Sequence, residues 1–178
     1  MTLHPRHSAW AFRNAGAGAY HAWLTDRGSL TARIAQRCPQ IRVKLLFQGL
    51  RRPNLDEQFI FARGGRTRVL VREILLCCAD VPVVFAHTVV NGSSLRGAWR
   101  SIGGLGERPL GAAIFSDRRV VRGPLRLRRI RPNHPLFRKA CAALSRACGS
   151  LWARRSLFEL RGEPILVTEV FLPGILEL

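Results

Sequence analysis

The sequence predicts a single α+β domain: an antiparallel sheet carrying helices on one face. Three observations carry this. Strand-like runs come in pairs joined by tight turns, Thr67–Ala79 with Val83–Val90 and Leu151–Leu160 with Pro164–Leu172. Helical spacing is confined to short stretches set apart from those pairs. The chain has 178 residues, 47% hydrophobic and 22% charged, which is enough apolar matter for one core. Consecutive strands joined by turns pair antiparallel, and helices then cover what the sheet leaves exposed.

The elements follow in order. Residues 1–18 read as a flexible extension, with Pro5, basic residues and an Ala-Gly-Ala-Gly stretch that offers little to pack; residues 19–178 read as the domain. Tyr20, Trp23 and Leu24 stand at i, i+3, i+4 and start a helix. After a break at Gly28, Ser29 caps a second helix with Leu30 and Ile34 on one side. Ile41–Leu50 alternates Arg42 and Lys44 against Ile41, Val43 and Leu45, as a strand does. Arg51–Gly65 is a polar loop, and Asp80-Val81-Pro82 turns the first hairpin. Leu95–Ile102 is a short helix ended by Gly103–Gly106, and Pro109–Phe115 is a compact apolar segment. Val120–Ile130 is extended, but Ile130 falls out of phase with Leu125 and Leu127, which predicts a bulge near Arg128-Arg129. Leu136, Ala140, Ala143, Leu144 and Ala147 give Pro135–Cys148 a helical stripe. Arg161-Gly162-Glu163 turns the last hairpin.

The charge is lopsided. Lys plus Arg is 29 against 11 Asp plus Glu, a net +18. Lys44 and Lys139 are the only lysines, so 27 of the cations are arginine. Arg is spread along most of the chain, without interleaved aromatics for base stacking. This favours a solvated basic surface over a nucleic-acid partner. The same surface attracts small anions. Seven Arg fall within Arg118–Arg131, where the choice is between a polyanion contact and a strand face whose Arg stems cover apolar surface. No uncharged apolar window is long enough for a membrane span. The five Cys are an odd number with no C-x-x-C pair. Cys77-Cys78 lies in an apolar run and reads as buried hydrophobe, so no disulfide framework and a cytoplasmic location are expected. No metal-ligand spacing is present.

Two charges stand out. Arg72 shares its strand face with Leu70, Ile74 and Leu76, and Glu169 shares its own with Ile165, Val167 and Phe171. Strands apolar at both parities are covered on both faces, where an unpaired ion costs several kcal/mol. Either Arg and Glu form a buried salt bridge or stand at a sheet edge, or they line a closed pocket. In a pocket, Arg72 would fork onto a carboxylate and Glu169 would accept a hydroxyl hydrogen bond or move a proton. His87, Ser93, Ser94 and Trp152 carry weaker signals and read as structural. Gly103-Gly104-Leu105-Gly106 follows a helix and lacks the Lys-Ser/Thr ending of a phosphate loop.

Three blocks then resemble the chorismate lyase family. They are Val71-Arg72-Glu73-Ile74-Leu75-Leu76-Cys77 with Thr88-Val89-Val90; Leu105-Gly106-Glu107-Arg108-Pro109-Leu110-Gly111 with Phe115; and Leu151-Trp152-Ala153-Arg154-Arg155-Ser156 running through Gly162-Glu163-Pro164 to Thr168-Glu169-Val170-Phe171-Leu172-Pro173. With Trp23–Arg33 they cover most of residues 20–173. The resemblance implies one antiparallel α+β domain whose helical flaps seal an internal pocket. It implies that Arg72 binds the ring carboxylate of chorismate, that Glu169 contacts the ring hydroxyl, and that Leu110 and Leu30 line the pocket, Leu30 standing where the family usually has Met. It further implies conversion of chorismate to 4-hydroxybenzoate and pyruvate at the start of ubiquinone biosynthesis, by a monomer with no cofactor and no nucleic-acid partner. The fold also resembles the effector domains of GntR-type regulators. Those follow a winged-helix DNA reader, for which the residues before Tyr20 are expected to be too few.

Overall fold

The computed structural model describes residues 10–11, 16–61, 68–144 and 148–178. Its helices are α1 (His21–Thr25), α2 (Leu30–Ala35), α3 (Gln58–Phe61), α4 (Arg100–Gly103), α5 (Leu110–Phe115) and α6 (Pro135–Cys141). Its strands are β1 (Ile41–Arg51), β2 (Val69–Cys78), β3 (Val81–Asn91), β4 (Val121–Arg122), β5 (Arg126–Ile130), β6 (Leu151–Leu160) and β7 (Glu163–Phe171). Local chemistry sets several boundaries. The Ser29 hydroxyl accepts the Ala32 N–H and caps α2 as expected. Arg161 (φ 54°) and Gly162 (φ 77°) supply the two left-handed positions that a tight β6–β7 hairpin requires.

The sheet runs β1-β2-β3-β7-β6, and β4 and β5 both pair with β6 at the far edge; every pairing is antiparallel. Directly paired residues point to the same face. One row across the sheet is therefore Arg72, Thr88, Val167 and Ser156, and the next is Ile74, Ala86, Glu169 and Arg154. Helices α1 and α2 bury Trp23, Leu24, Leu30 and Ile34 over one end of this face. Helices α4 and α5 bury Ile102, Leu110 and Ile114 over the other.

The second face is covered too. Phe137 and Ala140 of α6, with Trp10, pack on Leu75, Phe85 and Val170, and Phe61 of α3 packs on Val71, Val89 and Leu166. The α+β class is as the sequence predicts, but the helical cover extends to both faces, which is why β2 and β3 are apolar at both parities. The same cover removes the expected bulge. The β5–β6 register runs unbroken from Arg126↔Arg155 to Ile130↔Leu151. Leu127 and Ile130 differ in parity because Leu127 packs under the α1–α2 cover and Ile130 under α6. The extended run breaks instead at Gly123–Leu125, between β4 and β5. The expected helix over Leu95–Ile102 divides into a 3-10 turn, Ser93–Arg96, and α4.

The loose extension does not hold at Trp10, which is 2% exposed and donates from Nε1 to Asp56 Oδ2 at 2.9 Å. Ala11 bridges to Leu127. Residues 1–9 and 12–15, Gly64-Gly65 and Ala147 lie outside the described residues. No helix is long and apolar enough to cross a membrane among the described residues.

Cys78 is not the free buried thiol expected of it. It is bonded to Cys38, which follows α2, with the two Cα atoms 5.8 Å apart. The bond ties the α2 cover to the end of β2 across 40 residues. In a chain-entropy account a loop of that length contributes about 4 kcal/mol. Thiol titration of the denatured, unreduced chain is expected to find three thiols, from Cys77, Cys141 and Cys148. Reduction should raise the count to five and lower the urea midpoint; five thiols before reduction would show the bond absent.

A buried ion network fastens α3 and α6 to the second face. His87 stands opposite Glu73 in the register. Its Nδ1 lies 2.9 Å from Glu73 Oε1 and its Nε2 lies 3.1 Å from Glu57 Oε1. Lys139 of α6 pairs with Glu73, and the Asn54 N–H donates to Glu57 Oε2 at 2.7 Å. Burial alone would lower the pKa of His87; the two carboxylates outweigh it and hold the imidazole up at about 9. Because the folded value lies above the ordinary 6.5, this stabilisation is complete below about pH 6.5 and is lost as pH rises toward 9. Urea midpoints should fall across that window in the wild type and fall less in His87→Gln. Equal slopes in the two proteins would rule this out.

Candidate active site

A pocket lies between the first sheet face and the helices α2 and α5. It is narrow as the side chains stand, with about 50 Å³ open to the centre of a water molecule. Leu30, Arg72, Leu110 and Glu169, four residues distant in sequence, all line it. Leu30 comes from α2, Leu110 from α5, and Arg72 and Glu169 from strands two apart in the sheet. Gly111 lets the two helices approach: a Cβ there would lie 2.9 Å from the capping Ser29 Oγ.

Arg72 is 1% exposed. Its Nη2 donates to the carbonyls of Gly106 and Arg108 at 2.9 and 3.0 Å. Its Nε is buried without a hydrogen-bond partner, and no described carboxylate lies in ion-pair reach of it. Burial lowers its pKa, as it does for a cation lacking a counter-ion. The Gly103–Gly106 loop thus turns carbonyls to its surroundings: Gly103 accepts from Gln48, Gly104 from Arg108 and Gly106 from Arg72. That polarity holds guanidinium and amide groups and is the reverse of a phosphate cradle.

Glu169 does form a salt bridge, half-buried on its own side, but with the buried Arg154. Arg154 Nε donates to Glu169 Oε2 at 2.5 Å, and its Nη1 donates to the carbonyls of Trp23 and Asp26 at 2.8 and 2.6 Å. One guanidinium therefore joins the sheet, the pocket carboxylate and the end of α1. A third arginine, Arg122 of β4, also lines the pocket. Its Nε donates to Ser156 Oγ at 3.1 Å, its Nη1 meets the Arg27 carbonyl, and its guanidinium carbon sits 5.2 Å from the Phe158 ring centroid. Thr88, Ser156 and Thr31 add hydroxyls, and Phe115 and Phe158 add an edge-to-face aromatic pair, 5.9 Å between centroids.

The sequence missed Arg154 and Arg122. Arg154 stands beside Arg155, which faces the opposite way and pairs with Asp56 at 3.0 Å; strand phase distinguishes the two only once the face of Glu169 is known. Arg122 is masked by the arginines of 118–131. These have separate local roles: Arg119 pairs with Asp117, Arg128 lies over Trp10 and Arg129 donates to Ser150. His87 is structural, as expected, Trp152 packs against the core, and Ser94 donates to Glu163 at 2.6 Å. Among the described residues no three His, Cys, Asp or Glu gather as a metal site.

Fold and site together define an α+β domain with a pocket, lined by three arginines and one glutamate, between an antiparallel sheet and two short helices. The chorismate lyase family model matches residues 14–177. A protein of Nitrosomonas europaea named probable chorismate pyruvate-lyase is 49% identical over 155 residues, 87% of each chain. One of the same name from Nitrosospira multiformis is 51% identical over 157 residues, covering 88% of this chain and 87% of its own. The chain belongs to the chorismate lyase family. Among solved structures, the PhnF C-terminal domain (TM-score 0.58, 13% identity, covering 75% of this chain and 83% of that one) shares the fold. So does a GntR-family transcriptional regulator from Bacillus cereus (TM-score 0.56, 14% identity, 76% and 93%).

Removing Arg154 would leave Glu169 without its counter-charge and free two α1-end carbonyls. Arg154→Met is expected to cost on the order of 3 kcal/mol in urea unfolding, and Glu169→Gln, which keeps an acceptor, clearly less. Equal costs would contradict the bridging role.

Proposed function

We propose that this chain is a chorismate pyruvate-lyase, converting chorismate to 4-hydroxybenzoate and pyruvate without a cofactor. We place it in the cytoplasm, as a monomer, at the first committed step of ubiquinone biosynthesis. One observation carries the reading: Arg72 is a buried guanidinium with an idle Nε, held by two carbonyls so that it faces a pocket. Such a group is a receptor for a carboxylate. In this reading Arg72 takes the ring carboxylate. Glu169, ionised against Arg154, accepts a hydrogen bond from the ring 4-hydroxyl at the opposite end, and Leu30 and Leu110 close over the ring.

The chemistry asks for little more. The C3–O bond breaks, the C4 hydrogen leaves, and the ring becomes aromatic. Transfer of that hydrogen to the methylene carbon of the enolpyruvyl arm delivers pyruvate directly and balances every atom. Glu169 Oε2 accepts from Arg154 Nε, and a carboxylate held in this way favours a role for Glu169 in holding the reactive conformer. Names of relatives at 49 and 51% identity favour a lyase over a ligand sensor, since the regulators share the fold at 13–14%.

The test is to mix the purified protein with chorismate and follow both products. Equimolar 4-hydroxybenzoate and pyruvate are expected. Arg72→Ala should raise KM about 100-fold, and Glu169→Ala should lower kcat/KM about 10- to 100-fold. Tight 4-hydroxybenzoate binding with no pyruvate formed would make the chain a sensor instead.

A further inference from the structure

We propose that Arg122, steadied by Ser156, receives the second carboxylate of the substrate, the one on the enolpyruvyl arm. The assignment rests on the chorismate reading above. Its first ground is charge. The ionisable side chains lining the pocket are Arg72, Arg122, Arg154 and Glu169. Arg154 is neutralised by Glu169 at 2.5 Å. Arg72 and Arg122 have no carboxylate within ion-pair distance among the described residues. The pocket therefore carries two uncompensated guanidiniums, and chorismate carries two carboxylates. A monoanion such as 4-hydroxybenzoate would need only one.

Position is the second ground. Arg72, Thr88, Val167 and Ser156 form one row across β2, β3, β7 and β6, so Arg72 and Ser156 stand three strand spacings apart, roughly 14 Å between backbones. Arg122 is hydrogen-bonded to Ser156 and shares its end of the row. Both guanidiniums line the same pocket, Arg72 from one end of this row and Arg122 from the other. Glu169 lies between them in the neighbouring row, on β7. With the ring carboxylate on Arg72 and the 4-hydroxyl on Glu169, the ring orientation that turns the ether carbon toward β6 brings its arm to the Arg122 end of the row. The Nε–Ser156 bond and the Phe158 ring beneath fix the guanidinium plane, and no described residue accepts from Nη2.

Cleavage then separates the two charges. Pyruvate leaves with the carboxylate that Arg122 held, while 4-hydroxybenzoate retains only its contact with Arg72. Arg122 accordingly discriminates substrate from product, which a residue that merely latched the flap through the Arg27 carbonyl would not do.

The experiment measures KM for chorismate and Kd for 4-hydroxybenzoate in wild type, Arg122→Ala, Arg122→Gln and Arg72→Ala. Arg122→Ala should raise KM about 10- to 100-fold and leave the 4-hydroxybenzoate Kd within about twofold, whereas Arg72→Ala weakens both. Arg122→Gln keeps a donor to Ser156 and serves if the alanine variant does not fold; retained product binding reports an intact pocket. An unchanged KM, or equal weakening of substrate and product, overturns the assignment alone. Absence of turnover by the wild type overturns the lyase reading and the assignment with it.

Discussion

Everything in the pocket hangs on the guanidinium of Arg154. It is 1% exposed, and an unpaired cation at that depth would cost several kcal/mol. Its hydrogens go to three places: the Glu169 carboxylate and the carbonyls of Trp23 and Asp26. The carbonyls lie in and just after α1, a five-residue helix too short to hold itself together. The short cover over the site is stabilised from below, by a residue of the sheet, and the same residue fixes the orientation of Glu169. Asp26 is reinforced from above by Arg33 at 2.8 Å. A rigid sheet thereby lends its precision to loops that have little of their own.

The sheet also separates two electrostatic compartments with different balances. Adjacent residues point to opposite faces, so Arg72 and Glu73, or Arg154 and Arg155, never meet. On the second face Glu57 and Glu73 are answered by His87 and Lys139, and Asp56 by Arg155, with Trp10 donating as well. Those charges close on themselves and hold α3 and α6 down. On the first face three arginines meet one glutamate. Folding alone would not leave two guanidiniums unpaired beside a pocket, because paired or apolar groups would cost less there. The second face repays its ions in fixed architecture; the first carries an excess of positive charge beside the pocket.

What could be read beforehand follows from this division. The hairpins, the Ser29 cap and the α1–α2 pair were legible because their signals are local: period, turn residues and a capping hydroxyl. Arg72 and Glu169 were legible because a charge inside an apolar strand is conspicuous. Leu30 and Leu110 needed the family motifs, since an apolar residue on a short helix announces nothing. Arg154 and Arg122 were hidden among residues of their own kind. Glu57 and Asp56 carry the signal of loop polarity, and Cys38 gives no hint of Cys78, because contacts that span 14 to 131 positions leave no mark in a window. The bulge expected near Arg128 is the converse case: parity signals a bulge only where one face has a core, and Ile130 packs on the other face from Leu127.

The solved structures of similar fold sharpen the distinction between frame and site. Chains at 13–14% identity form the same sheet and cover, so the frame demands apolar patterning and turn chemistry and is indifferent to most identities. The pocket makes the opposite demand. Exchanging Arg122 for another basic residue would preserve charge but lose the planar fork that Ser156 and Phe158 orient. Exchanging Gly111 would drive a Cβ into the cap of α2 while leaving every strand in place. Specificity in this domain therefore resides in a handful of side chains set against a tolerant scaffold. In the proposed reading, the two guanidiniums without a carboxylate partner among the described residues set the charge, and with it the class, of the molecule the pocket accepts.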